Sequence, residues 1–249
     1  MPTYRLVLAY DGGGFRGFAT QPGAETVQGS IEGALAKVCG QKITTTGAAR
    51  TDAGVHALGQ VMSFRVDAEL DTQDLLQSLN SICGPEIAIF SLDRAPDGFD
   101  ARFSAEARSY EYAIFNRSIH DPFSRHTTWH IPHPLDHALM AKAAEPLPGE
   151  HAFDSFGRVF EGKPTVRRLE SIEIEKTGDL IAIRLTANSF LQQMVRSIVG
   201  TLVKAGQGKL DPAEMDGILH AKDRSAAGPV APPHGLFLVS VTYPEELLG

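Results

Sequence analysis

The chain has 249 residues, 43% hydrophobic and 21% charged, which is enough for one large or two modest domains with a packed core. Its formal net charge of -7 argues against a protein that coats nucleic acid through a uniformly basic surface, while leaving room for a basic cleft on an acidic body. The opening MPTYRLVLAYDGG is too poor in apolar residues for a signal peptide or a membrane span, and Cys39 and Cys83 lack zinc or redox spacing, so a reduced, cytoplasmic protein is expected.

YRLVLAYDG reads as a strand ended by Asp11-Gly12. After a Gly/Pro-rich loop, Thr26 caps a helix whose Val27, Ile31, Leu35 and Val38 recur at helical spacing and which stops at Gly40. GQVMSFRV alternates as a half-buried strand does. Asp71 and Asp74 open a helix with Leu75, Leu76, Leu79 and Ile82 as its stripe, ended by Gly84-Pro85, and IAIFSL gives the next strand. In the second half SYEYAIFN is a strand, and Asp136 caps a short helix carrying Leu139, Met140 and Ala143. ESIEIEK and LIAIRLTA pair around Thr177-Gly178-Asp179. Leu191, Met194, Val195, Ile198 and Leu202 form a helical stripe, Asp211-Pro212 with Glu214 resembles a capping box, and GLFLVSVTYP closes as a strand. Two similar halves, joined by hairpins as well as crossovers, predict α+β architecture with a mixed, largely antiparallel sheet. The join is expected near residues 96–108, giving an N-terminal half over 1–104 and a C-terminal half over 105–249.

Several motifs carry competing readings. Gly12, Gly14 and Gly17 satisfy G-x-G-x-x-G after a strand, but a dinucleotide fold needs its helix to begin at that loop, and here the helix waits until Thr26. A glycine-rich turn beside a site is the expectation. His130, His133 and His137 are separated by prolines that break ligand alignment, so a loop leading to a capped helix is expected and no metal is assigned. His56 is read as bonding neighbouring backbone. Arg196 lies about 140° from the centre of its helix's apolar stripe, so it is either solvated or paired with a carboxylate from the other half. Tyr110 and Tyr112 share one face of a strand, where a core role competes with stacking on a ring. Arg158, Lys163, Arg167 and Arg168 form either a solvated loop or a phosphate contact.

The segment GAARTDAGVHALGQV is the most unusual: one carboxylate, Asp52, and one guanidinium, Arg50, stand among small residues that barely fill a core. Such a run suits close backbone approach to a substrate beside a single anion. RTDAGVHALGQV resembles the active-site signature of the tRNA pseudouridine synthase A family. YDGGGFRGF, TVQGSIEGAL, FDARFSAEARSYEYAIFN, FLQQMVRSIVGTLVKAG and GLFLVSVTYP resemble further stretches of that family, in the family's order and across nearly the whole chain. The resemblance implies two similar α/β-sandwich halves of RRM- or ferredoxin-like layout, a central active-site cleft and a homodimer. It implies a cofactor-independent isomerase that converts uridine to pseudouridine in the tRNA anticodon arm, at positions 38, 39 and 40. It makes Asp52 the catalytic nucleophile and places Tyr110 on the tyrosine that stacks on the target uracil. It sets Arg50 on the residue that holds the flipped-out nucleotide's place, and Arg196 on the basic partner of the aspartate. One departure is GFATQ, Phe18 to Gln21 following Gly17, in place of a common G-W-Q-x-Q.

The chemistry suits a lone carboxylate. Glycosidases usually need an acid and a second carboxylate, whereas uracil leaves as a delocalised anion. Asp52 then serves either as nucleophile at C1′ or as base in an elimination and readdition. Two other classes compete: a non-catalytic RNA-binding module, and a nucleotide-cofactor oxidoreductase built on the glycine turn. The Arg50-Thr51-Asp52 run speaks against the binder, which has little need of an anion facing phosphate-rich RNA.

Overall fold

Helix starts are set by short polar side chains that satisfy the first free backbone amides. In the computed structural model, which describes residues 1–247, Thr26 accepts from Gly29 N–H, Asp71 from Gln73 and Asp74 N–H, and Asp136 from Ala138 and Leu139 N–H. The elements in order are β1 (Thr3–Tyr10), α1 (Val27–Cys39), β2 (Thr45–Gly47), β3 (His56–Arg65), α2 (Thr72–Cys83), β4 (Ile87–Ala95), β5 (Ala107–Phe115) and β6 (Trp129–His130). They continue with α3 (His137–Ala144), β7 (Gly149–Ala152), β8 (Val166–Thr177), β9 (Leu180–Ala187), α4 (Met194–Gly206), α5 (Glu214–Ala221) and β10 (Leu236–Thr242). The architecture is α+β with mostly antiparallel strand pairing, as the sequence predicts.

The chain divides into two compact units: residues 1–108 with residue 237 onward, and residues 109–236. In the first unit β1 runs antiparallel between β3 and β4, with Leu6 opposite both Met62 and Leu92. Tyr4, Leu6 and Leu8 alternate into the core, as do Ile31 and Leu35 of α1 and Leu75 and Leu79 of α2. Val7, of opposite parity on β1, packs against a second cluster made by Ala48, Val61, Ala95, Phe99, Ala101 and Tyr243. That cluster is why β3 is not half-buried as its alternation suggests: Val61, Met62, Ser63 and Phe64 are all inaccessible. The closing strand β10 returns to this unit and pairs parallel to β3, with Phe237 opposite His56 and Leu238 opposite Ala57. The first break between the units follows residue 108, and the second precedes residue 237.

The second unit orders its strands β5-β9-β8-β7, with β6 parallel to β5. The β8–β9 hairpin closes with Thr177 opposite Leu180, and Gly178 at φ 60° supplies the turn's left-handed residue. Helix α4 differs from expectation at its start. Gln193 adopts φ 65°, so Leu191 falls in the preceding turn rather than on the stripe, and the helix begins at Met194. The helix is also buried over most of its circumference rather than on one stripe. Gly200 makes this possible, since a side-chain carbon there would sit 1.7 Å from the Pro229 carbonyl oxygen. Asp211 N–H donates to Glu214 Oε1 and Ala213 N–H to Asp211 Oδ1, over the turn that leads into α5 at Glu214.

Candidate active site

The loop between β2 and β3 carries Arg50 and Asp52, and three neighbours hold it. From β3, the fully buried Gln60 binds both backbone groups of Ala49: its Oε1 accepts from the Ala49 N–H at 3.3 Å and its Nε2 donates to the Ala49 carbonyl at 2.8 Å. From β1, the buried Tyr10 hydroxyl lies 2.8 Å from Thr51 Oγ1 and 3.5 Å from Gln60 Nε2. Burial pushes the Tyr10 phenol up to about 12. From the glycine turn, Phe18 N–H donates to the Thr51 carbonyl at 3.1 Å.

Asp52 itself opens a turn closed by Val55 N–H to its carbonyl at 3.2 Å, and Gly54 at φ 78° provides the positive φ that a type II turn needs at its third residue. The Asp52 side chain is half-buried and Arg50 is exposed. Arg50 makes no hydrogen bond or ion pair with another described residue, so it is not the partner of Asp52.

The glycine-rich turn lies against this loop, as the sequence suggests. Asp11 caps a 3-10 turn over Gly12–Gly14, and α1 starts only at Val27, so no long helix begins at the glycines. A side-chain carbon on Gly12 would lie 2.0 Å from the Val55 carbonyl oxygen, and one on Gly17 would meet the backbone of Thr51, Asp52 and Ala53. Phe18, in the GFATQ departure, is buried with its ring against Gly47, and Gln21 donates to the Arg16 carbonyl. His56 is buried, accepts from the Gly12 N–H at 3.1 Å with Asp11 Oδ1 equally near its Nδ1, and stacks on Phe237.

The other two candidates belong to the second unit. Tyr110 on β5 is buried with its ring edge-on to Phe190, centroids 5.1 Å apart. Tyr112 is buried deeper, donates to the Pro232 carbonyl at 2.8 Å, and is held well above the usual phenol range by its burial. Arg196 is half-buried on the first turn of α4. Its Nε donates to the Ala231 carbonyl at 2.7 Å, while Ala231 N–H returns a bond to the Arg196 carbonyl. It is thus not simply solvated.

The basic cluster is spread along the loop and β8. Arg158 lies over the Phe160 ring, Arg168 pairs with Glu170, and Arg167 bonds the Pro164 carbonyl, its charge disfavoured by burial. Arg158 lines a recess of about 380 Å³ together with Lys222, Arg224, Asp154 and Asp223. His130 bonds the Arg117 carbonyl, and among the described residues no three His, Cys, Asp or Glu side chains converge as metal ligands. Sequence reasoning passed over Tyr10, Thr51 and Gln60. Gln60 carried a signal, being an uncharged polar residue just ahead of the apolar Val61 and Met62.

Comparison with known proteins bears on this loop and on the rest of the chain. A family profile described as tRNA pseudouridine synthase matches residues 7–104 and 143–244. A curated tRNA pseudouridine synthase A from Rhizobium leguminosarum bv. trifolii is 39% identical over 251 residues, covering 99% of this chain and 94% of the relative. Those of Thermoanaerobacter sp. (strain X514) and Afipia carboxidovorans are each 41% identical, covering 98% of this chain and 100% of the relative. Among solved structures, an unknown protein from Galdieria sulphuraria aligns at 13% identity over 75% of this chain and 79% of its own, with a TM-score of 0.23.

Proposed function

The chain belongs to the tRNA pseudouridine synthase family, and from that premise we propose that it isomerises uridine to pseudouridine in the anticodon arm of tRNA, with Asp52 as the reacting carboxylate. Membership makes it an isomerase acting on tRNA; the position on the tRNA and the role of each residue are proposed. The observation that carries it is the construction of the Arg50–Asp52 loop. Small residues and two close glycine contacts bring backbone to within van der Waals distance, and a single half-buried carboxylate stands on a turn of fixed geometry.

The reaction breaks the N1–C1′ bond and leaves uracil as an anion stabilised over its ring. Asp52 takes C1′ as nucleophile; uracil turns, C5 bonds to C1′ with release of the carboxylate, and the C5 proton is lost to water while N1 takes one up, so that the product is an isomer of the substrate. No separate strong acid is required at the leaving group, in contrast to ordinary glycoside cleavage. The base must leave its stack to react. Tyr110 receives it on its ring, a contact worth about 1–3 kcal/mol per base, Arg50 fills the vacated place, and Arg196 supplies the positive partner of Asp52. A homodimer and a cytoplasmic setting complete the proposal; no helix among the described residues is long and apolar enough to cross a membrane.

Unmodified tRNA transcripts incubated with the protein and mapped by carbodiimide-dependent primer stops test this reading. Stops confined to positions 38, 39 and 40 are expected. Pseudouridine appearing only elsewhere in the tRNA contradicts the anticodon-arm assignment.

A further inference from the structure

We propose that Tyr10 and Gln60 are positioning residues for the reaction, setting where the Asp52 carboxylate sits through the backbone of residues 49–51; this rests on the reading of Asp52 as the reacting group. Gln60 is fully buried; its Oε1 accepts from the Ala49 and Val61 N–H groups, and its Nε2 donates to the Ala49 carbonyl and reaches the Tyr10 oxygen. The Tyr10 and Thr51 hydroxyls share one hydrogen bond at 2.8 Å, and Gln60 Nε2 reaches the Tyr10 oxygen at 3.5 Å. The chain of contacts therefore runs from Gln60 through Tyr10 to Thr51 and ends one residue before Asp52.

An apolar pair of similar volume would leave the Ala49 N–H, the Ala49 carbonyl and the Thr51 hydroxyl without these partners. What the polar pair adds is a fixed backbone position. It pins residues 49 and 51 from two different strands, with the exposed Arg50 between them. Reacting groups held within about half an ångström matter because a displacement of about 1 Å costs on the order of 100-fold in rate.

The test uses Tyr10→Phe, which keeps the buried ring, with Thr51→Val, Thr51→Ser and the Tyr10→Phe/Thr51→Val double variant. Each is assayed at a temperature where circular dichroism shows it folded. Single-turnover pseudouridine formation at saturating tRNA, tRNA affinity, and amide hydrogen exchange over residues 49–55 are measured. Tyr10→Phe and Thr51→Val are each expected to slow the reaction about 10- to 100-fold with tRNA affinity held within about two-fold, and to accelerate exchange at 49–55 but not in β4. The double variant should be no slower than the worse single, because both singles already remove the Tyr10–Thr51 bond, and Thr51→Ser should restore the rate. Wild-type rate in Tyr10→Phe, affinity that falls in step with rate, or effects that multiply in the double variant would overturn the proposal. If the wild-type protein makes no pseudouridine, the functional reading fails on its own, and unchanged exchange at 49–55 in Tyr10→Phe overturns the positioning role separately.

Discussion

Gly17 and Thr51 meet backbone to backbone: a side-chain carbon on Gly17 would stand 3.2 Å from the Thr51 carbonyl oxygen, and Gly17 holds φ 98°. The glycine turn is therefore a wall of the Asp52 loop. Gly17→Ala imposes both the disfavoured φ and a tight contact, and is expected to cost about 1–3 kcal/mol of stability. It should also slow turnover in protein that remains folded, because the neighbour that must yield is the backbone of residues 51–53. Urea unfolding alongside single-turnover rates checks this; wild-type turnover in folded Gly17→Ala would detach the glycine turn from the site.

Tyr110 is half of an edge-on aromatic pair with Phe190 and is buried. Tyr110→Phe keeps the ring and should bind tRNA nearly as the wild type does. Tyr110→Ala should lose affinity, and should also lose about 3–5 kcal/mol of stability through the cavity it leaves, so binding is measured well below its melting temperature. Equal tRNA affinity of the two variants would remove the stacking role.

Arg196 is anchored by its Nε bond to the Ala231 carbonyl. Arg196→Met keeps the aliphatic stem and deletes the charge, at a cost of about 1 kcal/mol for the lost bond. Turnover should fall by at least about ten-fold, the equivalent of about 1.4 kcal/mol at the transition state, while tRNA affinity changes less. Unchanged turnover would return the residue to a purely structural account.

Alkaline pH should expose the buried phenols. Tyr10 titrates at about 12 when folded, against about 10 for an unburied phenol, and burial raises Tyr112 and Tyr243 as well. The unfolded chain gives up these protons first, so stability is intact below about pH 10 and falls as pH rises from there towards 12. Tyr10 alone accounts for roughly 2–3 kcal/mol of that loss. Urea midpoints at pH 8, 10 and 11.5 should decline in wild type and decline less in Tyr10→Phe. Identical declines would show that the Tyr10 hydroxyl is not buried as described.

Much of the framework could be read from the sequence because its signals are local. Thr26, Asp71 and Asp136 cap helices with their own side chains, and Gly178 turns the β8–β9 hairpin, within a few residues of where the pattern appears. The return of β10 to β3 was not legible, since a parallel pairing between residues 56 and 237 leaves no mark in either segment alone. The start of α4 was misjudged for a related reason: Leu191 fits the apolar period, but Gln193 takes a left-handed conformation that periodicity does not reveal. At the site, the charged residues stood out because Asp52 and Arg50 are conspicuous among glycine and alanine. The Tyr10–Thr51 contact did not, because 41 residues separate the partners and each looks ordinary in its own strand or loop.

The central claim is that Asp52 carries out the isomerisation, and tritium release tests it most directly. Unmodified tRNA bearing 5-tritiated uridine loses its label only when C5 becomes the glycosidic carbon. Wild-type protein is predicted to release tritium, while Asp52→Asn and Asp52→Ala release none although both still bind the tRNA. Release by either variant at the wild-type rate would contradict the account.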